Sequence, residues 1–151
     1  MNTRDAVFMA MALAEARYAY SLNEVPVGAI AVFDGQVVAR AHNRVESLND
    51  PLQHAEMRVL QQSAAILKQK WLCELEVYVT LEPCLLCAGA MILARIKRVV
   101  FGADEPRTGA FGSRLNVNEL KLNHHLPFTA GVCKNECEDL MQRFFKEKRG
   151  K

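Results

Sequence analysis

The chain has 151 residues, a mass of 16.9 kDa and a formal net charge of +2, and half of its residues are apolar. This length predicts a single domain over residues 1–151 with its own core, and the apolar runs are too short and interrupted for a membrane span. The five cysteines are odd in number and the N-terminus lacks a signal-peptide pattern, so the sequence favours a cytoplasmic protein over a disulfide-linked secreted one.

The hydrophobic pattern predicts strands and helices in alternation after an opening hairpin. The first helix is rich in Ala and Met, and the dipeptide Asp34-Gly35 is typical of a tight turn between strands. Pro83 suits the start of a helix, and a Gly-rich loop is expected at residues 103–116. The predicted elements are helix 3–22, strands 27–33 and 36–42, helix 54–68, strand 75–80, helix 84–95, strand 97–101, a short strand ending at Val132, and a basic C-terminal helix at about 136–149.

This order of elements predicts an α/β fold with three layers, in which a mixed central sheet has helices on both faces. The two sequence segments with the strongest chemical signal then fall at strand-to-helix junctions. Open α/β sheets bind their ligands in crevices at such strand ends. We therefore expect the functional site at this edge of the sheet.

The two segments are residues 54–56 (His-Ala-Glu) and residues 83–87 (Pro-Cys-Leu-Leu-Cys). His54, Cys84 and Cys87 offer one imidazole and two thiolates, which are three zinc ligands that leave a fourth position open for water. Three protein ligands are typical of catalytic zinc, whereas structural zinc has four. The two cysteines share one face of a first helical turn, where the helix dipole favours thiolates. The pattern H-x-E followed by P-C-x-x-C is the signature of zinc-dependent nucleobase deaminases.

Glu56 is expected to transfer protons and not to bind the metal. Two thiolates formally cancel the 2+ charge of zinc, so the metal should acidify its water less than an all-histidine site does. A carboxylate beside that water can take the proton and deliver it to the substrate. The cluster thus predicts hydrolytic deamination by a zinc-activated water with one zinc ion per chain, at a carbon that bears an exocyclic amine.

Three other interpretations of the cluster remain open. The Cys-x-x-Cys segment could be a thioredoxin-like redox pair, or it could form a four-cysteine structural zinc site with Cys133 and Cys137. Taken alone, His54 could be an ordinary helix histidine and Glu56 a first-turn carboxylate favoured by the dipole. The order and conjunction of the two segments favour the deaminase interpretation.

The charge is unevenly distributed along the chain. Residues 1–90 hold 7 Lys/Arg and 10 Asp/Glu, whereas residues 91–151 hold 12 and 7. A basic C-terminus beside two phenylalanines could contact an anionic partner such as RNA. The alternative is a solvated helix end whose cations suit the dipole. The cations of this terminus are Arg143, Lys146, Lys148, Arg149 and Lys151.

Further segments extend the pattern over nearly the whole chain. They are Val25-Pro26-Val27-Gly28-Ala29, Asn43-Arg44, Asp50-Pro51, Thr80-Leu81-Glu82-Pro83-Cys84, Cys87-Ala88-Gly89-Ala90-Met91, Arg95-Ile96, Val99-Val100-Phe101-Gly102-Ala103, Thr108-Gly109 and Arg143-Phe144-Phe145-Lys146. In these segments the chain resembles the bacterial tRNA-specific adenosine deaminases. The resemblance implies a cytidine-deaminase-like fold, a homodimer, and conversion of the wobble adenosine in a tRNA anticodon stem-loop to inosine.

The resemblance also implies roles for individual residues. His54, Cys84 and Cys87 would bind zinc, and Glu56 would be the proton shuttle. Asn43 would hydrogen-bond the flipped base. The other implied substrate contacts are Val27, Gly28, Ala29 and Ala55 around the base, and Glu105, Arg107, Phe144, Phe145, Lys146 and Arg149 on the RNA side.

The chain departs from the family pattern in two places. Leu52-Gln53 stand where two small residues are usual, and Glu105 and Arg107 stand where Asp and Lys are usual. The nearest alternative function is a free-base deaminase of the same fold, acting on guanine or cytosine. An alternative of another class is a non-catalytic zinc-containing RNA-binding module, against which Glu56 argues.

Overall fold

The computed structural model describes residues 2–150, and every predicted helix and strand is present in it. The elements are α1 (Thr3–Ser21), β1 (Gly28–Phe33), β2 (Gln36–His42), α2 (Val45–Leu48), α3 (Ala55–Leu67), β3 (Leu75–Leu81), α4 (Leu85–Ala94), β4 (Arg98–Ala103), a 3-10 turn (Val117–Leu120), β5 (Phe128–Thr129) and α5 (Lys134–Arg149). Within this range, no helix combines the length and apolar character needed to cross a bilayer.

Two details of the prediction are wrong. The last strand ends at Thr129 and not at Val132, because the chain turns at Gly131 with a φ of 81°. The four-residue helix α2 was not expected, and it separates β2 from the segment that begins α3. Only the second segment, at the end of β3, therefore follows a strand directly.

The sheet is mixed, as expected, with strand order β2-β1-β3-β4-β5. β1 is antiparallel to β2 and β3, whereas β4 is parallel to β3 and β5. Asp34 and Gly35 both have positive φ (51° and 74°), which matches the tight hairpin turn that their sequence predicts.

Helices cover both faces of the sheet, so the three-layer prediction is confirmed. The α3 and α4 side contacts one set of alternating strand residues, including Val77 and Val79. The α1 and α5 side contacts the other set, including Tyr78 and Val100. This alternation follows from the two-residue period of a strand.

An ion-pair cluster ties α1 to the sheet. Asp5 is buried and accepts hydrogen bonds from the Tyr78 hydroxyl (2.9 Å) and from the Arg98 guanidinium. Arg98 also lies 3.0 Å from Glu76. Burial alone would raise the pKa of Asp5, but the hydrogen bonds from Arg98 and Tyr78 outweigh it and hold that pKa below its usual range.

Candidate active site

The three predicted metal ligands lie at the N-termini of two neighbouring helices. His54 is the N-cap residue of α3 and Cys84 is the N-cap residue of α4, both with extended backbone. Cys87 follows one turn later in α4, on the same side as Cys84. Both helices pack on the same face of the sheet, so their N-termini bring the three side chains together.

The spacing of these side chains fits a zinc ion. The Nδ1 atom of His54 lies 3.3 Å from the Cys87 Sγ and 3.7 Å from the Cys84 Sγ. Tetrahedral zinc with ordinary Zn–N and Zn–S bonds places its nitrogen and sulfur ligands about 3.6 Å apart. Over residues 2–150, these three form the only group of at least three His, Cys, Asp or Glu residues whose ligand atoms all lie within 4.8 Å of one another.

The four-cysteine alternative is therefore wrong. Cys137 lies on the other face of the sheet, where α5 crosses β4, and its sulfur fills the space beside Gly102. Cys133 is the N-cap residue of α5 and packs on the same side. None of the five cysteines, all of which lie within residues 2–150, forms a disulfide bond.

The electrostatics of the cluster suit metal binding and proton transfer. Hydrogen bonds from the Cys87 thiol and from His54 lower the pKa of Cys84 to about 4, so this ligand is a thiolate. The pKa of Cys87 is raised by its contact with Cys84 and by burial, so zinc binding would require loss of the Cys87 proton. Glu56, only 4% exposed, has its pKa raised to about 7 by burial.

A cavity of about 260 Å³ opens beside these residues. Its volume is near the lower end of the range for small-molecule sites, about 300 Å³, and suits one base better than a whole nucleotide. The lining residues are Val25, Val27, Asn43, Val45, Glu46, His54, Ala55, Glu56, Leu81, Glu82, Cys84 and Thr108.

Asn43 lies in the cavity wall with its amide held in one orientation. Its Nδ2 atom donates to the carbonyl of Val25 (3.4 Å), and its Oδ1 atom accepts from the amide of Val45 (3.4 Å). An amide group has two donors and two lone pairs, so each bond leaves a second site of the same kind for a ligand.

The prediction that residues 27–29 form the pocket wall is only partly right. Val27 lines the cavity, as does Ala55 at the first position of α3. Gly28 faces α1, since a Cβ there would lie 2.1 Å from the carbonyl oxygen of Ala12. Ala29 is buried in the core between the sheet and α3. Gly28 and Ala29 therefore do not line the cavity themselves.

The predicted RNA contacts divide between a groove and the core. Glu105 and Arg107 line a second groove of about 900 Å³ together with Phe145 and Arg149 of α5. This groove shares Leu81 with the cavity, so the two are adjacent.

Two further predicted contacts on α5 lie differently. Lys146 is exposed on the same helix. Phe144 is 5% exposed and packs edge-to-face on Tyr20, with ring centroids 5.6 Å apart. The ring of Phe144 thus anchors α5 to α1, and of the two adjacent phenylalanines it is Phe145 that lines the groove.

The unusual pair Leu52-Gln53 fits without disturbing His54. Leu52 is exposed, and its amide donates to Asp50 Oδ1 (3.0 Å). The side chain of Gln53 donates to Asp50 Oδ2 (3.0 Å), and the backbone carbonyl of Gln53 accepts from the amide of Arg44. Leu52 is therefore at the surface and the Gln53 side chain is engaged with Asp50, and neither residue lines the cavity beside the metal ligands.

Sequence reasoning missed two buried glutamates that hold the walls of the cavity. Glu24 accepts from the amides of Glu46 (3.0 Å) and Ser47 (2.6 Å) and from the Ser47 hydroxyl, which fixes α2. Glu82 accepts from the loop that follows β4. The sequence signal that could have identified them is the position of each glutamate: Glu24 and Glu82 each lie in an apolar segment next to a motif of the site.

Comparison with known proteins agrees with this geometry. The model of the MafB19-like deaminase family matches residues 2–149. The tRNA-specific adenosine deaminases of Bacillus subtilis (strain 168) and Agrobacterium fabrum (strain C58) are 41% and 43% identical over 150 and 143 residues. These alignments cover 99% and 94% of this chain and 93% and 94% of the relatives.

Solved structures show the same relationship. One from a study of A-to-I editing by tRNA:A34 deaminases at the wobble position is 40% identical, with a TM-score of 0.81, and the match covers 88% of this chain and 97% of that one. The guanine deaminase from Nitrosomonas europaea has a TM-score of 0.80 at 20% identity, over 92% and 83% of the two chains, so it shares the fold alone. The cytidine-deaminase-like fold is confirmed and the thioredoxin-like alternative is wrong. This chain belongs to the family of tRNA-specific adenosine deaminases.

Proposed function

We propose that this chain, acting as a single deaminase domain, hydrolytically converts adenosine to inosine at the wobble position of a tRNA anticodon. The observation that supports this most directly is the His54, Cys84 and Cys87 triad beside a buried glutamate in a base-sized cavity. The relatives at about 40% identity are tRNA deaminases, whereas the guanine deaminase resembles the chain in fold alone.

We assign one zinc ion per chain to this triad, because its donor atoms and their spacing fit zinc. When bound, zinc would polarise a water molecule and lower its pKa. The two thiolate ligands favour a reducing compartment, and we therefore propose a cytoplasmic enzyme.

Glu56 supplies the proton transfers. Burial raises the pKa of Glu56 to about 7, which is in the range that suits a general acid/base at neutral pH. Its carboxylate would take a proton from the attacking water and give it to the ring nitrogen next to the reacting carbon. After the new C–O bond forms, the same carboxylate would take the proton of the new hydroxyl group and deliver it to the exocyclic amine. The C–N bond then breaks, and ammonia leaves.

The cavity would position the base for this reaction. A stacked base is out of reach of such a pocket, so the wobble nucleotide must flip out of the anticodon stack. Val27 and Asn43 lie in the wall, and Thr108 joins them from the loop after β4. The spare donor and lone pair of Asn43 would read the edge of the base.

The RNA around the flipped base would lie along the adjacent groove. Arg107 from the loop after β4 and Arg149 from α5 both line it, and the half-buried Phe145 lines it as well. Cations of this kind position the phosphate backbone, and an aromatic ring can stack on an unpaired base. We therefore place the anticodon stem-loop across this groove.

We also propose a homodimer that forms through α4. This helix exposes Leu85, Leu86 and Leu93, the last at 80%, and Trp71 and Leu122 line the same shallow apolar groove. A contiguous exposed apolar patch marks an interface, and a two-fold dimer would cover it with its own copy. Light scattering should give twice the chain mass for the wild type and the chain mass for Leu93→Glu. A monomeric wild type at micromolar concentration would refute this assignment.

The function is tested by offering RNA and free bases separately. The substrates are an anticodon stem-loop with adenosine at the wobble position, and free guanine, cytosine and adenosine. Inosine in the RNA alone supports the proposal. Ammonia from free guanine or cytosine alone would favour the free-base alternative. A zinc-loaded protein that binds the stem-loop but converts no substrate would favour the non-catalytic module.

A further inference from the structure

We propose that Glu82 is a positioning residue that holds the segment 105–113 against the turn containing Cys84 and thereby sets the affinity for RNA. This inference rests on the proposed function. The segment 105–113 lies between β4 and the 3-10 turn and contains no helix or strand of its own. It nevertheless contributes Thr108 to the cavity and Arg107 to the groove, so its shape decides how both walls meet the substrate.

The Glu82 carboxylate is the shared hydrogen-bond acceptor for this segment. Its Oε1 atom accepts from the amide of Glu105 (3.0 Å) and from the Ser113 hydroxyl. Its Oε2 atom accepts from the amides of Phe111 (2.9 Å) and Ser113 (3.2 Å). Glu82 is 2% exposed, and all four of these donors belong to the segment. A buried carboxylate needs such partners, and hydrogen bonds to a charged acceptor are the stronger kind.

The segment also encloses the carboxylate sterically. A Cβ built on Gly109 would lie 2.3–2.4 Å from the carboxyl atoms of Glu82. The amide of Ala110 donates to the carbonyl of Pro83 (2.9 Å), and Gly109 pairs with Cys84 through a backbone bridge. The segment therefore wraps around the turn 82–84, with the Glu82 side chain filling the space where any side chain at residue 109 would stand.

This arrangement points to a role in binding. A loop without secondary structure loses conformational entropy when a ligand orders it, and a loop that is already ordered avoids that cost. Glu82 supplies the order from one fixed point at the end of β3. The residues assigned to chemistry, Glu56 and the ligand triad, have no hydrogen bond to Glu82 among those seen in residues 2–150.

The test compares the wild type with Glu82→Gln. The amide NH₂ group of glutamine cannot accept, so at least one backbone amide of the segment loses its acceptor while size and burial stay the same. We expect the KM for the stem-loop to rise about tenfold or more, and kcat at saturating RNA to change less than about threefold. Zinc content should stay at one per chain. Hydrogen exchange should become faster at the amides of residues 105, 111 and 113 and remain unchanged in α3.

Two further variants keep the test decisive. Gly109→Ala displaces the carboxylate by contact and should reproduce both the higher KM and the faster loop exchange, even if Glu82→Gln does not fold. Asp5→Asn is the matched control, because Asp5 is also a buried carboxylate but lies at the ion-pair cluster of α1. This control should lower the free energy of unfolding without raising the KM.

Unchanged loop exchange in folded Glu82→Gln would overturn the proposal, as would an unchanged KM. Loss of zinc from that folded variant would also overturn it, since Glu82 would then support the metal ligands. A wild type that fails to convert the stem-loop contradicts the proposed function, while the exchange measurement still decides whether Glu82 orders the segment.

Discussion

Replacing Glu56 with glutamine separates the proton shuttle from the metal ligands. Glu56 is not one of the three side chains that converge within 4.8 Å, and these three with one water already complete a tetrahedron. The variant should therefore keep one zinc per chain. Burial already disfavours the charged form of this carboxyl, so a neutral amide of the same size should not destabilise the fold.

The expected loss is in the chemical step alone. General acid/base catalysis contributes on the order of 10²–10⁴ in rate, so kcat should fall by that factor with little change in stem-loop affinity. Single-turnover deamination of the stem-loop, elemental analysis and a thermal melt measure the three quantities. If the variant loses its zinc, Glu56 is a ligand and the proposed mechanism is wrong. If it keeps both zinc and full activity, another group moves the protons.

Three further predictions follow from other parts of the molecule. Cys87→Ala should lose zinc and become less stable, because metal binding is coupled to folding; full zinc content by elemental analysis would contradict the ligand assignment. Replacing the described α5 cations Lys146, Lys148 and Arg149 with alanine should flatten the slope of log affinity against log salt by up to about 2, at roughly 0.7 per phosphate. An unchanged slope would indicate that this helix end is solvated and does not contact RNA phosphates. Lys151, another cation of the tail, lies outside the described residues. Asp5→Asn should lower the free energy of unfolding at pH 7 by about 1–3 kcal/mol in urea titrations. Because the folded pKa of Asp5 is depressed, its contribution is present at neutral pH and is lost as the pH falls below 3.8, so the variant should show less acid dependence and not more.

The metal ligands could be predicted because their geometry is local in sequence. Cys84 and Cys87 are brought together by one helical turn, and a histidine at the start of another helix needs only the approach of two N-termini. The strands could be predicted for the same reason, since apolar runs rich in β-branched and aromatic residues and a tight turn are short-range properties. The error at the last strand has the opposite origin. β5 is two residues long, and only its pairing with β4 decides where it ends.

The residues that hold the walls of the cavity in place could not be predicted in this way. Glu82 finds its partners 23–31 residues away, and Glu24 finds its partners 22–23 residues away. Gly28 occurs in an apolar strand pattern that does not reveal how closely α1 approaches. Phe144 and Phe145 are adjacent on a helix and therefore face different directions. Only the position of Tyr20 shows that Phe144 is the one in the core.

The hydrogen bonds of Glu82 explain how side-chain substitutions in the loop after β4 can leave the geometry of the site unchanged. Glu82 binds the backbone amides of residues 105, 111 and 113 and, apart from the Ser113 hydroxyl, no loop side chain. Side chains of different reach at positions 105 and 107 can thus be accommodated without moving the backbone. Glu105 also accepts from the amide of Arg107 (2.9 Å), a local bond that a shorter acidic side chain can form as well. Substitutions at these two positions should alter RNA contacts and leave the geometry around Cys84 in place.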